Sequence, residues 1–153
     1  MANDIFFGTG IAAIEGAVFC TDVFGDVREM HPDRTDNIAN GKIGTPVAAL
    51  KRSGESYRVY YLDGHNNLRE VCQDGKGWYD GNLSQGKHVV AAYSSISCVM
   101  IHGGEMRVYA QKGDNSLQEY MWHNGKWALG NNFGRVLAGT AIAATSWADK
   151  HIR

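Results

Sequence analysis

The sequence predicts an all-β chain of repeated four-stranded antiparallel sheets. Three observations carry that prediction: a recurring segment, strand chemistry inside each copy, and no window of eleven or more residues with a clean helical period. Four short apolar runs contain a doubled alanine, at Gly10–Ile14, Pro46–Leu50, His88–Ala92 and Ala141–Thr145, and successive alanine pairs lie 36, 43 and 52 residues apart. After each of the first three runs comes a turn and a β-rich stretch, 17–22, 58–63 or 107–112. A second turn then opens a strand at Val27–Met30, Leu68–Val71 or Leu117–Tyr120. In the second and third copies a turn ending at Trp78 or Trp127 opens a fourth strand. Alternating Tyr and Val bounded by Gly, Asn and Asp is strand-and-hairpin chemistry, because Asn and Gly tolerate positive φ.

Four short antiparallel strands recurring every 40 to 50 residues is the pattern of a β-propeller blade. The doubled alanines suit the inner strand, where blades crowd around a channel. The chain therefore divides into a first blade at about 9–44, a second at 45–86, a third at 87–138 and an orphan inner strand at 139–153. Propellers close with about 4 to 8 blades, so three need an oligomer, and two chains giving six blades is the simplest solution. In the first copy Ala17 stands where the others carry Arg58 and Arg107, and the tail from Trp147 to Arg153 reads as that connection with its arginine restored. The tail is thus expected to complete the first blade of a partner chain. A truncated copy of a longer propeller is the alternative.

Composition bounds the function. Fifteen Lys and Arg against 16 Asp and Glu leave a net charge of -1, which gives no basic footprint for nucleic acid or anionic membranes. No apolar run is long enough to insert in a membrane, and the N-terminus lacks the features of a signal peptide, which leaves localisation open. Cys20, Cys72 and Cys98 form no C-x-x-C pair and read as buried thiols. The six His show no metal-binding spacing, so neither a metal nor a cofactor is expected.

What the copies share beyond folding needs is a register of polar and indole side chains. Glu70 follows Arg58 by 12 residues, Trp78 follows Glu70 by 8, and Gly81 and Asn82 follow it by 11 and 12. Arg107, Glu119, Trp127, Gly130 and Asn131 repeat those offsets, with Trp122 added where the second copy has Gln73. A guanidinium donates along a planar fork while a carboxylate accepts, so the pair can bracket vicinal sugar hydroxyls. An indole offers a flat apolar face for the C–H side of the ring. The same residues also read as a solvated cross-strand ion pair, worth under about 1 kcal/mol, beside packing tryptophans.

These motifs, together with Arg58-Val-Tyr-Tyr, Gly77-Trp-Tyr-Asp-Gly81, Gln118-Glu-Tyr-Met-Trp122 and Thr140-Ala-Ile-Ala-Ala-Thr-Ser-Trp147, resemble the repeats of the fungal and bacterial fucose-binding lectins of the Aleuria aurantia type. The resemblance covers essentially the whole chain. It implies six-bladed propellers with L-fucose pockets between neighbouring blades, multivalent recognition of fucosylated glycans, and no catalysis. Carried over, one pocket uses Arg58, Glu70 and the Asn82 backbone with Trp122 and Trp127, and a second uses Arg107, Glu119 and Asn131. A third keeps Glu29 and Trp78, lacks its arginine, and is expected to be weak unless a partner's Arg153 replaces Ala17. A protein-interaction propeller or a non-binding remnant are the competing readings.

Overall fold

The computed structural model describes residues 10–147 and 151–152. Arg153, named above for the third pocket, lies outside the described residues. The chain divides into two compact units, the first ending at Lys87 and the second beginning at His88.

The first unit holds two four-stranded antiparallel sheets. Sheet one runs β1 (Ile11–Ile14), β2 (Ala17–Thr21), β3 (Asp26–Met30) and β4 (Thr35–Asn40) in chain order. Sheet two repeats the order with β5 (Ala48–Ser53), β6 (Ser56–Leu62), β7 (Leu68–Asp74) and β8 (Trp78–Asp80), followed by a single 3-10 turn over Asn82–Gly86. The turns fall where glycine and asparagine supply left-handed backbone: Gly16 has φ 87° in the β1–β2 turn, and Asn66 has φ 61° between β6 and β7. Between the two sheets lies a core of Phe19, Val27, Ile38, Val47, Val59 and Val71. Phe19, Val27 and Val59 are wholly buried, as expected for residues on the inner faces of packed sheets.

The second unit carries one complete sheet: β9 (Ile96–Ile101), β10 (Glu105–Gln111), β11 (Ser116–His123) and β12 (Lys126–Arg135). A two-stranded ladder, β13 (Ser146–Trp147) with β14 (His151–Ile152), follows. Helix is confined, among the described residues, to two short 3-10 turns.

Two expectations change here. The doubled alanine of the third copy is not an inner strand: Ala91 N–H donates to the Gln111 carbonyl at 2.7 Å and Ser94 N–H to Ala91 at 2.9 Å, a connecting turn. The strand begins instead at Ile96, where the β-branched and apolar run Ile-Ser-Cys-Val-Met-Ile supplies β-propensity that alanine lacks. Nor do Ala141–Thr145 form a strand. That stretch is irregular, tied to β9 by Ala144 N–H donating to Ser97 Oγ at 2.9 Å and by Ser146 Oγ donating to the Met100 carbonyl at 3.0 Å.

Candidate functional site

Strand alternation explains why the repeated residues converge. Tyr60 on β6 pairs directly with Glu70 on β7, and Arg58 with Cys72, so Arg58, Tyr60 and Glu70 share one face of sheet two. Glu70 is only 2% exposed. Its carboxylate accepts from Tyr60 Oη at 3.2 Å and from Leu83 N–H at 3.1 Å. Its backbone is fixed as well, since Glu70 N–H donates to Ser84 Oγ at 2.9 Å and Gly81 N–H donates to the Glu70 carbonyl at 2.8 Å. A Cβ at Gly81 would lie 2.2 Å from Glu70 Oε2, so the repeated glycine makes the niche in which the carboxylate sits.

Sheet three builds the same niche. Tyr109 Oη donates to Glu119 Oε1 at 2.9 Å, Asn131 N–H donates to Oε2 at 3.0 Å, and a Cβ at Gly130 would stand 2.3 Å from Oε2. Burial, together with the hydrogen bond to Glu119, pushes the Tyr109 phenol far above its ordinary value, so it remains a donor. The resemblance to the fucose-binding lectins implies a backbone N–H after each glycine. In sheet three that group is Asn131 N–H and it holds the carboxylate. In sheet two the Glu70 carboxylate is held one residue later, by Leu83, while the Asn82 side chain accepts from Gln85 at 3.4 Å.

The arginines are held by carboxylates that the spacing did not reveal. Arg58 forms a fork on Asp74, with Nη1 to Oδ1 at 2.9 Å and Nη2 to Oδ2 at 3.1 Å, and Nη1 also donates to the Tyr57 carbonyl at 2.7 Å. Ser56 Oγ and Tyr79 Oη donate to the same Asp74 carboxylate. Burial opposes its charge, but the hydrogen bonds from Arg58, Ser56 and Tyr79 and the Arg58 charge prevail, holding the Asp74 carboxyl well below the usual range. In sheet three the corresponding carboxylate has crossed to the neighbouring strand. Arg107 Nη2 meets Glu105 Oε2 at 2.8 Å, His123 Nδ1 contacts the same carboxylate, and Arg107 Nε stands 3.9 Å from Glu119 Oε1. Counting along the repeat, Glu105 and His123 occupy the places of Ser56 and Asp74, and Ser56 pairs across the ladder with Asp74.

Trp78 and Trp127 lie on the edge strands β8 and β12, and Trp122 on the neighbouring β11. Trp122 and Trp127 are cross-strand partners with ring centroids 5.7 Å apart and planes tilted by 58°. Trp78 pairs across the ladder with Gln73. Within the first unit, Trp78 of sheet two reaches Glu29 of sheet one, Nε1–H donating to Oε2 at 3.3 Å. Phe19 meets Trp78 edge-on at 5.8 Å and Tyr57 stacks on it at 6.5 Å. The glutamate of one sheet thus faces the tryptophan of the next. As the sequence indicates, Ala17 leaves this glutamate without an arginine.

In the second unit Tyr109, Glu119, Asn131, Phe133, Ile142 and Ala144 are among the residues lining a cavity of about 420 Å³. That volume is of the size small ligands occupy. Arg107 does not line it.

The profile described as fungal fucose-specific lectin matches residues 5–153. The fucose-specific lectin of Aspergillus fumigatus is 41% identical over 161 residues, covering 95% of this chain and 51% of that protein. The Aleuria aurantia lectin is 32% identical over 116 residues, 69% of this chain and 36% of that protein. Among solved structures, the SapL1 lectin in complex with alpha methyl fucoside superposes with a TM-score of 0.86 at 42% identity, over 98% of this chain and 55% of that one. A six-bladed β-propeller structure of Aleuria aurantia lectin gives a TM-score of 0.78 at 29% identity, over 93% and 54%. The chain spans about half the length of the relatives it matches. With a matching family model over residues 5–153, this chain belongs to the fungal fucose-specific lectin family.

Proposed function

We propose that this protein binds L-fucose on fucosylated glycans, without catalysis. The observation that carries the reading is the duplicated niche, in which Tyr60 and Leu83, or Tyr109 and Asn131, orient a buried glutamate on the sheet face that also carries the repeated arginine. A carboxylate fixed by two donors keeps lone pairs in a defined direction, so it accepts from sugar hydroxyls without reorganising. Arg58 and Arg107 donate to neighbouring hydroxyl oxygens, and an indole face supplies a stacking wall. Trp78 beside Glu29 exemplifies how an indole of one blade meets a glutamate of another. A glycosidase needs one unlike pair of carboxyls with separated pKa values, whereas Glu70 and Glu119 are equivalents in repeated surroundings. The lectin named fucose-specific from Aspergillus fumigatus and the fucoside-bound SapL1 structure support the sugar assigned.

The finer reading of the assembly is a ring of six blades made by two copies. The large exposed apolar residues of the second unit, Leu129, Phe133 and Leu137, supply a surface that a further blade would cover. Sedimentation equilibrium at twice the chain mass supports it, and a monomer at all concentrations refutes it.

Calorimetric titration with L-fucose tests the function, using Glu70→Gln and Glu119→Gln alongside the unaltered chain. A glutamine keeps one acceptor oxygen for the backbone N–H and can donate to the tyrosine oxygen, so each niche should persist. What changes is the charge. Replacing a charged by a neutral acceptor costs about 1–2 kcal/mol, roughly a five- to thirtyfold loss of affinity per site, and the double variant should show that loss at both sites. Full retention of affinity in the double variant refutes the site.

A further inference from the structure

We infer that sheet one carries a binding site for a divalent transition-metal ion of the zinc class, formed by Glu29, His31 and Asp36. Glu29 and His31 lie two residues apart, which places them on one face of the chain leaving β3, and Asp36 on β4 is the direct cross-strand partner of Glu29. Strand alternation and ladder register therefore bring one imidazole and two carboxylates together without any of the spacings by which metal motifs are recognised in sequence. One donor atom from each of the three lies within 4.8 Å of the other two.

The two distances from His31 are those of neighbouring corners in a coordination sphere. His31 Nε2 stands 3.5 Å from Glu29 Oε2 and 3.3 Å from Asp36 Oδ2. Donors bound at about 2.0–2.1 Å to a tetrahedral ion are separated by about 3.3–3.4 Å, the edge of that tetrahedron. Meanwhile His31 Nε2 is fully buried and makes no hydrogen bond, an unusual condition for an imidazole nitrogen beside two carboxylates. Trp78 Nε1–H is an outer partner that orients Glu29, donating to its Oε2 at 3.3 Å, whereas the Arg34 guanidinium competes with an ion for Asp36, its Nε donating to Oδ2 at 3.0 Å. One imidazole with two carboxylates suits zinc, cobalt or iron rather than calcium or magnesium, which take oxygen ligands alone. Three protein ligands leave a fourth corner for water. This site also lies in the one sheet where Ala17 replaces the arginine, so the ion would supply the positive charge that Arg107 brings close to Glu119. The inference rests on the first unit alone and not on sugar binding.

The test uses the full chain without an affinity tag, stripped with chelator and titrated with Co²⁺, following the strong visible bands of the four-coordinate ion. Saturation at one Co²⁺ per chain, reversed by Zn²⁺, is expected. His31→Gln and Asp36→Asn should each abolish the bands while the thermal melt stays cooperative. Arg34→Gln, at an exposed position, keeps all three ligands and removes a competing cation, so it should tighten Co²⁺ binding several-fold. If no saturable band appears, the cluster is a set of side-chain contacts only and the inference falls. Bands undiminished in both ligand variants overturn it too, as does weaker binding in Arg34→Gln.

Discussion

Replacing Gly81 by alanine isolates the link between the fold and the glutamate. The backbone there has φ -82° and ψ 166°, a region any residue adopts, so the substitution brings no conformational strain. The new methyl would nevertheless lie 2.2 Å from Glu70 Oε2 and 2.5 Å from its Cδ and Cγ, more than 1 Å inside ordinary van der Waals contact. Glu70 cannot simply swing away, because it is 2% exposed and bound by Tyr60 and Leu83. Displacing it breaks two hydrogen bonds to a charged group, each worth about 1.5–3 kcal/mol, and partial relaxation of the following 3-10 turn recovers part of that. The expected loss is about 3 kcal/mol, which for a chain of this size lowers the melting temperature by about 6–12 °C. Differential scanning calorimetry measures it, with Gly64→Ala as the control. A Cβ at Gly64 meets nothing within 4 Å, so that variant should melt within a degree or two of the unaltered chain. Fucose titration of Gly81→Ala should show the same loss as Glu70→Gln. Identical melting of the two alanine variants would refute the niche.

The remaining predictions concern charge and burial. Asp74→Asn should destabilise the protein by about 1–2 kcal/mol, because Arg58 loses its fork while Asp74 is itself partly exposed. The Asp74 carboxyl is held below its unfolded value, so its contribution is complete above the unfolded pKa and vanishes as pH falls through the lower folded one. Urea midpoints measured from pH 5 down to 2 should therefore fall less steeply in Asp74→Asn than in the unaltered chain, and parallel curves would contradict the assignment. Burial raises the Cys72 thiol to about 12, so at pH 8 it should react with a disulfide reagent only after urea unfolding. Fast labelling of Cys72 in native buffer would show that sheet two opens locally. Trp78→Phe keeps an aromatic surface against Phe19 and Tyr57 and removes the donor to Glu29, at a cost of about 1–3 kcal/mol by thermal melt.

How much could be read beforehand follows from which features repeat with a fixed offset. Arg58, Glu70, Gly81 and Trp78 were legible because the ladder preserves a two-residue period, so the second and third copies carry their polar face at equal spacings. The glutamate niche was legible only in part, since Tyr60 and Tyr109 read as ordinary strand residues until the ladder set each opposite its glutamate. The carboxylates that hold the arginines were hidden because they change strands: Asp74 serves from β7 and Glu105 from β10. A register comparison of the copies, noting Ser56 with Asp74 against Glu105 with His123, would have exposed the exchange. The doubled alanine at 91–92 misled because alanine marks a small buried place rather than a strand, and there it fills a turn. The cation cluster was invisible because its ligands are joined across a ladder rather than along the chain.

Sheet one shows what happens when the niche is dismantled as a whole. At the position of Tyr60 and Tyr109 it has Phe19, at that of Arg58 and Arg107 it has Ala17, and where the offsets place Gly81 and Gly130 it has Asn40. Loss of the tyrosine hydroxyl alone would leave a buried glutamate short of a donor, and an unpaired buried carboxylate is a strongly unfavourable group. Glu29 is not left in that state. It accepts from Trp78 and faces His31, and it is less deeply buried than Glu70. His31 in turn occupies the position of Cys72 and Met121, which in the other sheets are neutral and make no demand on the glutamate. Loss of the hydroxyl, the guanidinium and the glycine is therefore matched by gain of an imidazole and an aspartate around the same carboxylate. Simple decay of a sugar pocket would remove partners without supplying others. The replacement of one complete set of partners by another argues that this position was rebuilt to hold a different ligand.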